Sequence, residues 1–169
     1  MIPNGAMRAG LILALLLLPS CGLQPLYGGG SNSPVAATLR SVRVAPIAGQ
    51  SGWLVRAKLL DRLGEAGEGA AAYRLDVTLD DNITSFGLRR DQAATQERRT
   101  LRARYQLVDL SNGTVVLDAT AGSDASIDIV SSEYATVAAE QTVLENLSGI
   151  VADQIMSRLA LYASRTARK

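Results

Sequence analysis

The chain reads as an α+β domain in which two helices pack on one face of a four-stranded, mostly antiparallel sheet, in the order β-α-β-β-β-α. Three observations predict it. Tyr73, Leu75, Val77 and Leu79 alternate with Arg74, Asp76, Thr78 and Asp80, the period-two pattern of a strand with one buried and one wet face. The alternation returns at Leu101, Ala103, Tyr105 and Leu107 and again at Val115, Leu117 and Ala119. Apolar residues at helical spacing flank this block on both sides, at Val55, Leu59, Leu60 and Leu63 and at Leu147, Val151, Ile155, Leu159 and Tyr162.

The chain opens with Arg8 and an apolar run, Leu11 to Leu18, the parts of a secretory signal and too short to cross about 30 Å of hydrocarbon. Leu18-Pro19-Ser20 then leads into Cys21, the only cysteine. Leu18 and Ser20 suit a bacterial lipoprotein signal, and Pro19 departs from its usual small residue. Residues 1–20 are therefore expected to be removed as a signal peptide and Cys21 to carry lipid. Two or three acyl chains on one residue hold a protein on a bilayer, whereas a single chain does so only marginally. Gly22 stands where an aspartate would retain a lipoprotein at the inner membrane, so the expected address is the periplasmic side of the outer membrane.

Residues 21–38 form the expected lipidated N-terminus and flexible tether, because Gly28-Gly29-Gly30-Ser31-Asn32-Ser33-Pro34 lacks apolar periodicity. Residues 39–169 form one domain. Leu39 to Ile47 predicts the first strand, with Val42 and Val44 on one face and Pro46 near its end. Ser51 is the expected cap of the first helix and Gly64 its left-handed stop. The second strand runs from Tyr73 to the Asp80-Asp81 pair, the third from Leu101. Ser111-Asn112-Gly113 predicts a three-residue hairpin loop with Gly113 left-handed, which sets Leu107 opposite Leu117 and Tyr105 opposite Ala119. Ser131 or Ser132 caps the final helix, which opens with Glu133.

The chain contains no histidine, and its one thiol is assigned to lipid. Ser-His-Asp and Cys-His catalysis, and zinc sites of imidazole or thiolate, are thereby excluded, and neither enzyme activity nor a cofactor or metal is expected. Asp80-Asp81, the only adjacent acidic pair, reads as a solvated turn. The triple glycine leads into Ser-Asn-Ser-Pro rather than a capped helix, so it is no phosphate loop.

Charge is segregated along the chain. Arg40 to Arg104 holds twelve basic and eight acidic side chains, Tyr105 to Ser157 eight acids and no base, and Arg158, Arg165, Arg168 and Lys169 close the sequence. Balanced charge overall argues against a general nucleic-acid binder. Phe86 to Tyr105 stands out, with Arg89, Arg90, Arg98, Arg99, Arg102 and Arg104 against Asp91 and Glu97. Guanidinium forks bind phosphate or carboxylate in bidentate fashion. Arg89 and Arg90 fall in the turn after the second strand beside Phe86 and Leu88, a pairing of apolar and anion contacts that suits a phosphorylated lipid. Solvated arginines guarding a hairpin tip are the alternative there, and cross-strand ion pairs are the alternative for the outward Arg102 and Arg104.

Cys21-Gly22-Leu23-Gln24-Pro25-Leu26-Tyr27 resembles the mature start of the LPS-assembly lipoprotein family LptE, whose alphaproteobacterial members often open Cys-Gly-aromatic-x-Pro-Leu-Tyr. Leu23 replaces the aromatic. The order of elements, the Ser85-Phe86-Gly87-Leu88-Arg89-Arg90 turn and the closing helix near Arg158-Leu159 agree with the family over the mature chain. The resemblance implies a non-enzymatic protein seated one-to-one in the lumen of the outer-membrane barrel LptD, aiding its assembly and the delivery of lipopolysaccharide. It also implies a lipopolysaccharide-binding base at Arg89 or Arg90; the basic run itself adds Arg98, Arg99, Arg102 and Arg104 as weaker candidates. A second basic position of the family, before the last helix, has no counterpart, since no Lys or Arg lies between Arg104 and Arg158. An auxiliary lipoprotein of another envelope lipid or solute transporter shares the anchor, tether and small domain but predicts no barrel partner.

Overall fold

A computed structural model describes residues 33–64, 71–88, 94–129 and 132–167. In chain order its elements are α1 (Pro34–Arg40), β1 (Val42–Val44), α2 (Gly49–Leu63), β2 (Tyr73–Leu88), β3 (Ala94–Asp109), β4 (Val115–Asp128) and α3 (Glu133–Thr166). The α+β architecture agrees with expectation, with one helix more. Ser33 accepts a hydrogen bond from the Ala36 N–H (3.1 Å) and Pro34 occupies the first turn, so a capped start sits where a tether was expected to run on to Thr38. Leu39, expected to open a strand, instead lies in the last turn of α1 and is buried. β1 consequently has three residues, with Val42 and Val44 inward and Arg43 outward as the alternation requires.

The sheet order is β1-β2-β3-β4. β1 lies parallel to β2 through the crossover helix α2, and the remaining pairs are antiparallel. α2 begins at Gly49 and not at Ser51, and Ala48 supplies no side-chain cap. A tertiary tie serves this end instead, as Gln50 Nε2 donates to Gln141 Oε1 on α3 (3.0 Å). Leu54, Val55, Leu59 and Leu63 form the buried face of α2, whereas Leu60, a hundred degrees further round, is exposed. Gly64 has φ +74°, the positive value expected of it. The Gln50–Gln141 and Arg62–Asp153 contacts bridge the same separation of 91 positions, so α2 and α3 run parallel. α3 is capped by Ser132 and is about 50 Å long at 1.5 Å per residue. Its first two turns precede the level of Gln141 and overhang the start of α2.

The two central strands are longer than the alternation indicated, at 16 residues each. β2 continues past Asp80-Asp81 to Leu88, and β3 starts at Ala94 rather than Leu101. Asp80 and Asp81 are therefore mid-strand residues facing Arg102 and Leu101, not a turn. Residues from Asn82 through Gly87 are exposed on both faces, which removes the hydrophobic alternation while the backbone ladder continues.

Leu75, Leu101, Tyr105 and Leu107 from the sheet meet Leu147, Val151, Ile155 and Leu159 from α3, all fully buried. Each such side chain contributes roughly 1.5 to 3 kcal/mol by leaving water. Tyr162 is half-buried and sets its ring edge-on to Tyr73, 6.0 Å between centroids.

In the β3–β4 hairpin, Leu107 faces Leu117 and Tyr105 faces Ala119, as expected. The loop differs. The Asp109 N–H donates to Thr114 O (2.9 Å), closing four residues, Leu110 to Gly113, and a register shift between Leu107 and Val108 absorbs the extra residue on β4. Asp109 and Asn112 explain this choice, because their side-chain oxygens accept the N–H and hydroxyl of Ser111 and Thr114, two successive Asx turns. Gly113, at φ +72°, supplies the left-handed residue in either case.

Candidate functional site

The strands sort the candidate arginines onto two faces. Odd-numbered positions of β3 point toward the helices and even-numbered ones toward solvent. Among the described candidates, Arg99 alone points inward. Its Nε and Nη2 bond both oxygens of Asp81 on β2 (2.9 and 2.8 Å), and Nη1 donates to the Glu140 carbonyl of α3 (3.2 Å). Both partners are largely buried, at 13% and 20% side-chain exposure. The bonds to Asp81 raise the Arg99 guanidinium above its ordinary value against the desolvation that lowers it. Arg99 is a tie between sheet and helix, with its fork committed.

Arg98, Arg102 and Arg104 stand on the wet face. Arg104 pairs with Asp118 of β4 (3.0 Å), a carboxylate that also accepts from Gln106 and is held below its usual range by these bonds. Arg98 lies 3.6 Å from Asp124 and 5.6 Å from the centroid of the Phe86 ring. Arg74 forms a two-pronged pair with Asp76 on its own strand. The cross-strand pairs expected here are present for Arg104 and absent for Arg102, which makes no side-chain hydrogen bond or ion pair among the described residues. Around Arg102 the face dips into a concavity of about 580 Å³, lined by Thr78, Thr100, Thr120, Gly122 and Asp124.

Arg89 and Arg90, the first candidates, lie outside the described residues, as does Cys21. The strand ends that bracket the two arginines are paired, Leu88 with Ala94. The four weaker candidates, Arg98, Arg99, Arg102 and Arg104, are brought onto one strand. Sequence reasoning missed Gln154 and Gly122. Gln154, on α3, accepts from the Gly122 N–H (3.0 Å) and donates to the Gly122 carbonyl (3.2 Å), occupying the free edge of β4 as a neighbouring strand would. An isolated glycine within an alternating strand was the available signal.

Among the described residues no cluster of three or more acidic, histidine or cysteine side chains is placed to hold a metal, and no helix is long and apolar enough to cross a membrane. Fold and surface together define a small α+β domain with one sheet face sealed by helices and the other open, polar and charged on both signs. The family model described as LptE, Lipopolysaccharide-assembly, matches residues 39–159, and the chain belongs to the LptE lipopolysaccharide-assembly family. It is thereby an envelope lipoprotein of lipopolysaccharide assembly, in a family that works with the lipopolysaccharide transport machinery.

Solved structures agree in fold. A putative lipoprotein from Caulobacter crescentus CB15 is 26% identical with a TM-score of 0.62, over 77% of this chain and 96% of that one. The rare lipoprotein B from Shewanella oneidensis is 10% identical with a TM-score of 0.58, over 74% and 97%. A minor lipoprotein from Acinetobacter baumannii is 12% identical with a TM-score of 0.56, over 72% and 92%. Comparison with the curated proteins finds no match.

Proposed function

We propose that the chain is anchored to the periplasmic side of the outer membrane through lipid on Cys21, binds the LptD barrel one-to-one within its lumen, assists its assembly, and helps pass lipopolysaccharide to the cell surface. The family match over 39–159 carries this reading. The open sheet face supports it, since barrel lumens are polar and a plug must present polar groups to them. The role is non-enzymatic, in line with the lack of histidine. Within it, Arg89 and Arg90 are the lipopolysaccharide contacts, offering two guanidinium forks at the far end of the β2–β3 pair.

Purifying the tagged lipoprotein from detergent-solubilised outer membrane tests the partnership. A stoichiometric large barrel is expected. Recovery of the lipoprotein alone, or with inner-membrane transporter components, sinks the reading in favour of an auxiliary role in other envelope transport. Changing Arg89 and Arg90 together to Ala should then weaken binding of purified lipopolysaccharide while the barrel is still retained. Lipid binding equal to that of the unaltered protein removes the arginines from the mechanism.

A further inference from the structure

On the wet face, Arg102 sits in register between Asp80 of β2 and Gly122 of β4. Its direct cross-strand neighbour Asp80 is a carboxylate, yet the two form no ion pair, and Asp80 likewise makes no side-chain bond among the described residues. Arg102 leans the other way. A Cβ built on Gly122 would lie 3.2 Å from Arg102 Cγ and 3.3 Å from the Leu101 carbonyl, so the arginine stem occupies the space a side chain at 122 would need. The missing side chain both opens the concavity and fixes where Arg102 lies within it. Gln154 holds the Gly122 backbone from the opposite side. Glycine inside a strand commonly marks such a close approach by a ligand or another chain.

We propose that this concavity is a docking point for the barrel partner, in which Arg102 receives a carboxylate projecting from the polar lumen wall and Asp80 receives a neighbouring cation of that wall. The proposal rests on the barrel reading above. Charge selects a protein wall over a lipid phosphate. The second arginine of the concavity, Arg104, is taken up by Asp118, and Asp124 lies 3.6 Å from Arg98, so a multiply charged phosphate meets one free guanidinium with the Asp80 carboxylate beside it, whereas a surface of mixed sign meets that guanidinium and that carboxylate side by side. Thr78, Thr100 and Thr120 add hydroxyls that donate or accept as the wall requires.

The test compares the tagged full chain with its Arg102→Glu, Arg102→Ala and Gly122→Val variants, purified from detergent-solubilised outer membrane, reading barrel retained per lipoprotein. Arg102→Glu is expected to lower retention roughly tenfold or more, as for a central interface arginine, with Arg102→Ala intermediate. Thermal unfolding of Arg102→Ala should match the unaltered protein, because the guanidinium has no partner to lose among the described residues, whereas Arg102→Glu, set opposite Asp80, should melt slightly lower and is read beside the Ala variant. Gly122→Val fills the concavity and should also lower retention, with the Arg102 variants deciding the matter if it unfolds. Equal retention by all three overturns this inference and leaves the barrel reading standing. No barrel with the unaltered chain overturns both. Retention unchanged while Arg102→Ala weakens lipopolysaccharide binding makes the arginine a lipid contact and overturns the docking role.

Discussion

Tyr105 and Arg99 show how differently two polar groups can be carried inside this fold. The Tyr105 ring is 1% exposed, and its hydroxyl has no hydrogen-bond partner among the described residues. Burial raises its phenol above the ordinary value, opposed only by Arg158. The neutral form is therefore favoured in the folded state, and the stability it contributes is fully present below about pH 10, the unfolded value, and declines as pH rises through the folded one. Tyr105→Phe should accordingly raise stability by about 1 kcal/mol and blunt the alkaline loss. Urea unfolding at neutral pH and near pH 10 checks this, and a less stable variant would show that the hydroxyl is satisfied after all. Arg99→Ala, by contrast, strands Asp81 in a largely buried place and should cost about 2 kcal/mol in the same assay. The exposed Arg104→Ala should leave the midpoint within error. Both arginines belong to one basic run, and only register separates the structural residue from the solvated one. A count of arginines could not assign those roles, because an odd or even position decides the face and the strand limits were misjudged.

At the level of elements, legibility followed burial. Tyr73 to Leu79 and Leu101 to Leu107 declared themselves because one face packs on α2 and α3. Their continuations to Leu88 and from Ala94 were invisible, since Ile83 and Phe86 lie on opposite faces with polar neighbours and no alternation survives. α1 was hidden by composition: Ser33-Pro34 is a good helix start, but it follows a glycine and serine stretch that reads as linker. The hairpin turn was legible in its register and not in its loop, where side-chain bonds of Asp109 and Asn112 outweighed the shorter option. Gln154 could not be foreseen, because its role depends on α3 lying against β4. Replacing it with Ala should cost about 1 kcal/mol and speed hydrogen exchange at the Gly122 amide, measured by NMR. Unchanged exchange there would mean that water shields the edge as well as the glutamine does.

Across the whole molecule, the described core draws on residues from Leu39 to Ala163, and Ser33 caps the first helix outside it. A chain beginning at Ser33 should therefore unfold at the same temperature as one beginning at Cys21, by circular dichroism. A large drop would assign residues 21–32 a packing role. The resemblance that suggested a family rested on Cys21 to Tyr27, outside the described residues, whereas the family match lies wholly within the domain at 39–159. The N-terminal heptad and the domain thus point to the same family from separate stretches of chain. The proposed lipid site at Cys21 and the proposed Arg89-Arg90 contact both lie outside the described residues.

The length of the β2–β3 pair sets a reach. Sixteen residues at about 3.3 Å each make a stiff, hydrogen-bonded arm of about 50 Å, running from Tyr73, beside the end of α1, out to Leu88. The hydrocarbon layer of a bilayer is only about 30 Å thick. Seated in a barrel as proposed above, along the membrane normal with α1 near one leaflet, this arm would be longer than that layer is thick, and Leu88 would stand beyond its opposite boundary.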